Sequence, residues 1–169
     1  MKKILLSLFV LFLFQSVNAQ EQPPRRPENI GISDFDSFKN NAFDIVDEST
    51  RLKNDATRID NEIKNAGSVL TSFSVDRIRQ DLRALRGIKQ SSEALAGKIG
   101  NLDEEGKKLL NNAKSVNPRT KAPAATSNTN RSIQGLDFAR KNLKVVADLV
   151  ENNSKKLIDE LKSRGEDIE

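Results

Sequence analysis

The feature that most constrains this chain is an unbroken stripe of apolar and small residues between Phe35 and Phe73. Its members recur at alternating spacings of three and four residues, which is the heptad pattern of one narrow face on a long α-helix. They are Phe35, Phe38, Ala42, Ile45, Ser49, Leu52, Ala56, Ile59, Ile63, Ala66, Leu70 and Phe73. Because such a stripe is too apolar to face water alone, it predicts that another helix covers it.

Two later stretches carry a similar periodicity and predict two more helices. The packing positions expected in the second are Ile78, Leu82, Leu85, Leu95 and Ile99, and those in the third are Leu143, Val146, Val150 and Leu157. The predicted helices span about residues 34–71, 75–116 and 131–164. No stretch alternates with period two, so no sheet is predicted. The similar helix lengths favour an all-α fold, an elongated antiparallel three-helix bundle or coiled-coil rod.

The connection between the first two helices is predicted to be a tight reversal between Gly67 and Ser74. Ser74 is a suitable N-cap for the second helix. Farther along, Gly97 and Gly100 predict that this helix either kinks near residues 97–101 or breaks and restarts there.

The first 19 residues have the organisation of a secretory signal peptide. Lys2 and Lys3 precede an apolar run, and a small-residue cleavage site ends at Ala19. The run is too short for a resident membrane span, which needs about 20 apolar residues. The protein is therefore expected to be exported, and to be periplasmic or secreted after cleavage. The sequence contains no cysteine, which favours a bacterial protein over a small secreted animal domain.

Three further segments have the composition of irregular structure. Residues 20–32 hold several prolines and two arginines, and they are predicted to form a disordered leader. Residues 117–130 lack a clear apolar period and are predicted to be a flexible linker. Residues 165–169 follow the third helix as a short tail, with Gly165 expected to end that helix.

The composition removes most catalytic and metal-binding arrangements. The chain has no histidine and no cysteine, so it lacks a Ser-His-Asp triad, a thiol nucleophile, a Cys/His zinc site and a His-containing di-iron site. Acidic neighbours such as Asp44, Asp47 and Glu48 could bind a hard cation or act in acid–base chemistry, but we interpret them as a solvated helix face. The sequence therefore assigns no catalytic, cofactor-binding or metal-binding residue, and we expect no enzyme activity.

The charge pattern contains one feature that could serve an interaction. Arg79, Arg83 and Arg86 share one face of the second helix and could meet an acidic partner or anionic lipid. The alternative is pairing within the molecule, in which Arg86 lies opposite Asp60 and Lys98 lies opposite Glu48. Loss of the two lysines of the signal peptide lowers the formal charge from +4 to +2, which gives little reason to expect a nucleic-acid partner.

These observations favour an exported, non-enzymatic protein that acts through protein–protein interaction or a structural role, with self-association as one form. A second hypothesis is a membrane-surface binder, which the narrow apolar stripe and the mixed charges disfavour. A third is a periplasmic chaperone of the holdase type. The chain is similar to small holdases in its signal peptide, long helices and basic pI, but it has no predicted strands.

Overall fold

The computed structural model describes residues 22–67 and 70–167, so the predicted signal peptide lies outside the described residues. These ranges contain three long helices and no strand: α1 (Ser33–Asn65), α2 (Val75–Asn112) and α3 (Ala122–Ser163). At 1.5 Å per residue they are about 50, 57 and 63 Å long. The predicted all-α three-helix bundle is confirmed.

The helices run up, down and up, so α1 and α2 are antiparallel and α3 is parallel to α1. Glu48 of α1 and Lys98 of α2 line one depression between their helices, in the register predicted from the sequence. A hydrogen bond from Arg51, together with the charges of Arg51 and Lys98, lowers the pKa of Glu48. On another face of α1, Ser49 Oγ lies 3.4 Å from Asn142 Nδ2 of α3.

One continuous core runs along the bundle axis. Of the packing positions expected from the sequence, all are buried except Ala66, Phe73 and Leu82, which are partly buried and pack against the same core. The helices approach closely where Gly106 of α2 faces Phe38 of α1. A Cβ atom at Gly106 would lie 2.7 Å from Phe38 Cζ, so the phenyl ring occupies space that only glycine leaves free.

The end of α1 corrects the predicted boundary near residue 71. The helix ends at Asn65, and Gly67 follows with a φ of 81°, the left-handed conformation that glycine adopts without strain. Leu70, the next stripe residue, lies beyond the end of α1 and is nevertheless buried. A 3₁₀ turn folds it back onto the core. The predicted cap of the next helix is confirmed, since Ser74 Oγ accepts a hydrogen bond from the Arg77 backbone N–H at 3.2 Å.

Helix α2 is continuous through Gly97 and Gly100, which corrects the expected break or kink near residues 97–101. Each glycine costs about 1 kcal/mol of helix propensity relative to alanine. The neighbouring Leu95, Ile99 and Leu102 are buried in the core. Their burial holds this stretch in helical conformation, because packing of an apolar face contributes more to helix stability than propensity does.

The region predicted as a flexible linker, residues 117–130, is mostly helix, because α3 begins at Ala122 rather than near residue 131. Pro123 lies in the first turn, where its missing N–H has no intrahelical partner to lose. After Pro123, the buried positions of α3 still recur every three or four residues, but several of them carry small polar side chains. Thr129 Oγ1 donates to the Ala125 carbonyl at 2.8 Å, so the burial leaves no hydroxyl unpaired there.

The described part of the leader, residues 22–32, has no regular secondary structure, as predicted. It nevertheless lies against α1 and α3 through side-chain and backbone contacts, which differs from the disorder expected for this segment. At its junction with α1, the Asp36 carboxylate accepts hydrogen bonds from the backbone N–H groups of Ile30, Gly31 and Ile32 at 2.8–3.2 Å. Gly31 has a φ of 71°, which allows the chain to turn there.

At the opposite end, Arg164 ties the C-terminus of α3 to the turn between α1 and α2. Its guanidinium donates to the carbonyls of Leu70 at 2.6 Å and Phe73 at 2.7 Å. Gly165 follows with a φ of 71°, so the helix ends at the predicted glycine. The bundle is therefore held at both ends by contacts between sequence-distant segments.

Candidate interaction surfaces

A groove between α1 and α3 receives the leader, and we call it the leader groove. Its floor is an apolar cluster of Phe43, Val46 and Phe138, which is separate from the main core. A Cβ atom at Gly135 would lie 3.1 Å from Val46 Cγ2, which is a tight contact, and 3.9 Å from Pro24 Cγ, which is an ordinary van der Waals contact. Glycine thus lets α1 and α3 approach each other closely at a point that the leader also touches.

The rim of the leader groove is acidic and binds one arginine. Arg26 Nη2 lies 2.7 Å from Asp44 Oδ1 and 2.9 Å from Asp47 Oδ2, and the guanidinium carbon lies 5.8 Å from the centroid of the Phe43 ring. The hydrogen bond to Asp44 and the charges of both carboxylates raise the pKa of Arg26. Asp44 and Asp47 are exposed, as expected for a solvated helix face, and they also bind the guanidinium group of Arg26.

The part of the leader nearest α1 is held by side chains that are themselves buried. Lys39 Nζ donates to the Pro27 carbonyl at 3.2 Å and also to Asn29 Oδ1. Asn128 Nδ2 of α3 donates to the Glu28 carbonyl at 2.7 Å. Lys39 and Asn128 are both buried and the hydrogen bonds that they donate are partly buried, so these contacts are less accessible to water than the exposed ion pairs of Arg26.

The second surface is the arginine face of α2, formed by Arg79, Arg83 and Arg86. With Leu82 and Leu161, these residues line a small cavity of about 190 Å³. The structure brings the three predicted arginines together, and Arg83 and Arg86 are exposed.

Arg79 is the partly buried member of the arginine face and already binds a carboxylate. Its Nη2 lies 3.0 Å from Glu166 Oε2, in the segment that follows α3. Its Nε is buried and has no hydrogen-bond partner within residues 22–67 and 70–167. The face therefore accepts an acidic side chain from a segment that lies outside the helices.

A third depression, of about 700 Å³, lies between α2 and α3. Ala147, Val150 and Ile158 supply its apolar lining, and lysines and acidic residues alternate around it. Its mixed rim favours neither an acidic nor a basic ligand.

Comparisons of the chain with protein-family models, curated proteins and solved structures found no match. Within the described ranges, no helix is long and apolar enough to cross a membrane. The same residues contain no cluster of three or more acidic side chains arranged to hold a metal ion.

Sequence reasoning identified the arginine face but not the leader groove. Phe43 and Val46 lie one position beyond the stripe residues Ala42 and Ile45, so they widen the apolar face of α1 toward α3. The wider apolar face, with Asp44 directly after Phe43 and Asp47 directly after Val46, was the sequence signal for the leader groove. The heptad interpretation considered only the narrow stripe and therefore missed this signal.

Proposed function

We propose that this chain is an exported, non-enzymatic helical-bundle protein that acts through protein–protein interaction. The observation that carries the proposal is the arginine face of α2. Arg83 and Arg86 are exposed there, beside an Arg79 that binds the Glu166 carboxylate. Export rests on the predicted signal peptide.

The chemistry of this face favours an acidic protein segment as its ligand. Guanidinium groups form charge-assisted, often bidentate hydrogen bonds with carboxylates. The contact between Arg79 and Glu166 is an example within the chain. A membrane-surface function is less well supported, because helices that lie on bilayers present a broad apolar face, whereas Leu82 is only partly exposed and Leu161 is buried.

Arg83→Glu tests the proposal with Lys107→Glu as a matched control. Both residues are exposed on α2, but Lys107 lies near the opposite end of the helix from the arginine face. Tagged parent and variant chains are recovered from the native cell envelope after brief cross-linking, and co-purifying proteins are quantified. We expect Arg83→Glu to reduce one acidic partner at least about fivefold, because a reversed charge repels a complementary surface. Lys107→Glu should leave its recovery unchanged.

Equal recovery of all proteins by the parent and both variants would contradict an interaction through this face. Flotation with vesicles that contain anionic lipid distinguishes the membrane-surface hypothesis from binding to an acidic protein. The proposed function predicts that the parent stays in the protein fraction, whereas flotation lost only in Arg83→Glu would assign the face to lipid.

A further inference from the structure

We propose that the leader groove is a binding site for an extended segment of another protein that carries proline and arginine. In this structure residues 22–26, the leader tip, occupy the site as a displaceable stand-in for that partner. The inference concerns a surface of α1 and α3 and is independent of the arginine face on α2.

The leader has a firmly held part, residues 27–32, which we call the leader root. The Asp36 carboxylate accepts three backbone N–H groups of the root. Buried Lys39 and Asn128 bind its carbonyl oxygens. All of these contacts except the exposed one at Gly31 are partly buried, and several involve a charged group, so the root is expected to stay on the bundle when the tip moves.

The tip, in contrast, is held by contacts that are exposed to water. Its ion pairs join Arg26, whose side chain is 39% exposed, to Asp44 and Asp47, which are 68% and 74% exposed. Solvent and salt weaken such pairs. The tip can therefore leave the groove while the helices and the root remain in place.

If the tip left, Phe43 would lose the Arg26 guanidinium that lies over its ring, and Gly135, next to Val46, would lose its neighbour Pro24. The apolar floor formed by Phe43, Val46 and Phe138 would then be more open to solvent, beside two carboxylates. An apolar patch with an acidic rim needs a ligand that is both apolar and cationic. The tip has this composition, and its own contacts show how the groove binds it.

Proline and arginine suit this groove for separate physical reasons. Proline favours an extended conformation that is largely formed before binding, so little conformational entropy is lost. One arginine guanidinium reaches both Asp44 and Asp47 and also lies over the Phe43 ring. Lysine has a compact ammonium group and cannot reproduce that planar arrangement. We therefore expect selection for arginine at this position of the partner.

The test uses the chain from Gln20 onward and a labelled peptide with the sequence of residues 22–27, followed by fluorescence anisotropy. In the parent, the tethered tip competes with the peptide at high effective concentration. Arg26→Ala weakens the tip and should raise the affinity for the added peptide at least about fivefold, because it increases the fraction of open groove. Arg25→Ala is the matched control. Arg25 is exposed and forms no ion pair with residues 22–67 and 70–167, so this variant should bind the peptide like the parent.

A second variant tests whether the peptide binds in the leader groove. Asp44→Asn and Asp47→Asn, both added to Arg26→Ala, should abolish the gain without unfolding the bundle, because both side chains are exposed. A peptide with alanine in place of the arginine at position 26 should bind at least about tenfold more weakly than the original peptide, since it lacks the charge-assisted contacts.

Three outcomes would overturn the inference. The first is equal affinity of the parent and Arg26→Ala for the peptide, which includes no binding to either. The second is binding that does not depend on Asp44 and Asp47. The third is a parent dimer, detected by light scattering, that becomes monomeric in Arg26→Ala, because the tip would then join two copies instead of covering its own groove.

Discussion

Helices α1 and α3 lie side by side and enclose the same core, yet they fill their buried faces differently. Ile59 of α1 and Asn153 of α3 are both 0% exposed, but one is apolar and the other carries an amide. The buried positions of α3 also include Asn128, Thr129, Ser132 and Asn142. A helix can therefore keep the spacing of a packed face while a substantial part of that face is polar.

The polar residues of α3 differ in how their hydrogen bonds are satisfied. Thr129 and Ser132 each donate to the carbonyl four residues earlier, so they bring their own partner into the core. Asn142 reaches Ser49 Oγ of α1 at 3.4 Å. Asn153 differs from them, because neither its Nδ2 nor its Oδ1 has a hydrogen-bond partner in the described part of the chain. An unpaired buried amide lowers stability, because its hydrogen bonds to water are lost on folding and not replaced.

The largest expected effect comes from placing a charge on the apolar face of α1. Ile59→Asp removes a fully buried side chain and leaves a carboxylate without a partner in the core. The loss should reach about 4 kcal/mol or more, from a total stability of about 5–15 kcal/mol. Thermal melts followed by circular dichroism should show an unfolded chain or a greatly reduced Tm.

Asn61→Asp is the matched control for Ile59→Asp, because Asn61 lies two residues away and is exposed. It should change stability by less than about 0.5 kcal/mol. Asp60 does not serve as a control, since it is buried and its Oδ2 lies 2.6 Å from Lys64 Nζ. Similar melting curves for the two variants would show that α1 is not packed along its apolar stripe.

A smaller effect of opposite sign is expected on α3. Asn153→Leu replaces an unpaired buried amide with an apolar group of similar size and should stabilise the bundle by about 1–3 kcal/mol. Asn152→Leu, at the adjacent exposed position, should change stability by less than about 0.5 kcal/mol. Urea denaturation measures both variants. A loss of stability in Asn153→Leu would mean that the amide contributes a favourable interaction, and the contrast between α1 and α3 would weaken.

The same contrast explains how much of the molecule could be predicted from the sequence. The apolar stripe of α1 and the later leucines and valines predicted the number of helices, their antiparallel order and the packing positions that are now seen buried, such as Leu52 and Leu157. The start of α3 was predicted incorrectly because Asn128, Thr129 and Ser132 occupy core positions that a search for apolar residues passes over. Two prolines nearby reinforced the expectation of a linker, although Pro123 lies where a helix tolerates proline.

The two candidate sites differ in whether the sequence alone could indicate them. The arginine face depends on residues spaced along one helix, so the sequence alone indicated it. The leader groove depends on contacts between Arg26, α1 and Phe138 of α3, which are far apart in sequence. Its recognition required the three-dimensional arrangement, because no local period links these segments.

The central claim is that small polar residues continue the packed face of α3 back to Ala122. Hydrogen exchange of the backbone amides of residues 126–132 tests it most directly, because a helix that begins at Ala122 pairs these N–H groups with carbonyls four residues earlier. We predict exchange at least about 100-fold slower than in an unstructured peptide, as expected for amides that require local unfolding to exchange. Exchange at the rate of an unstructured peptide would contradict the claim and restore residues 117–130 as a flexible linker.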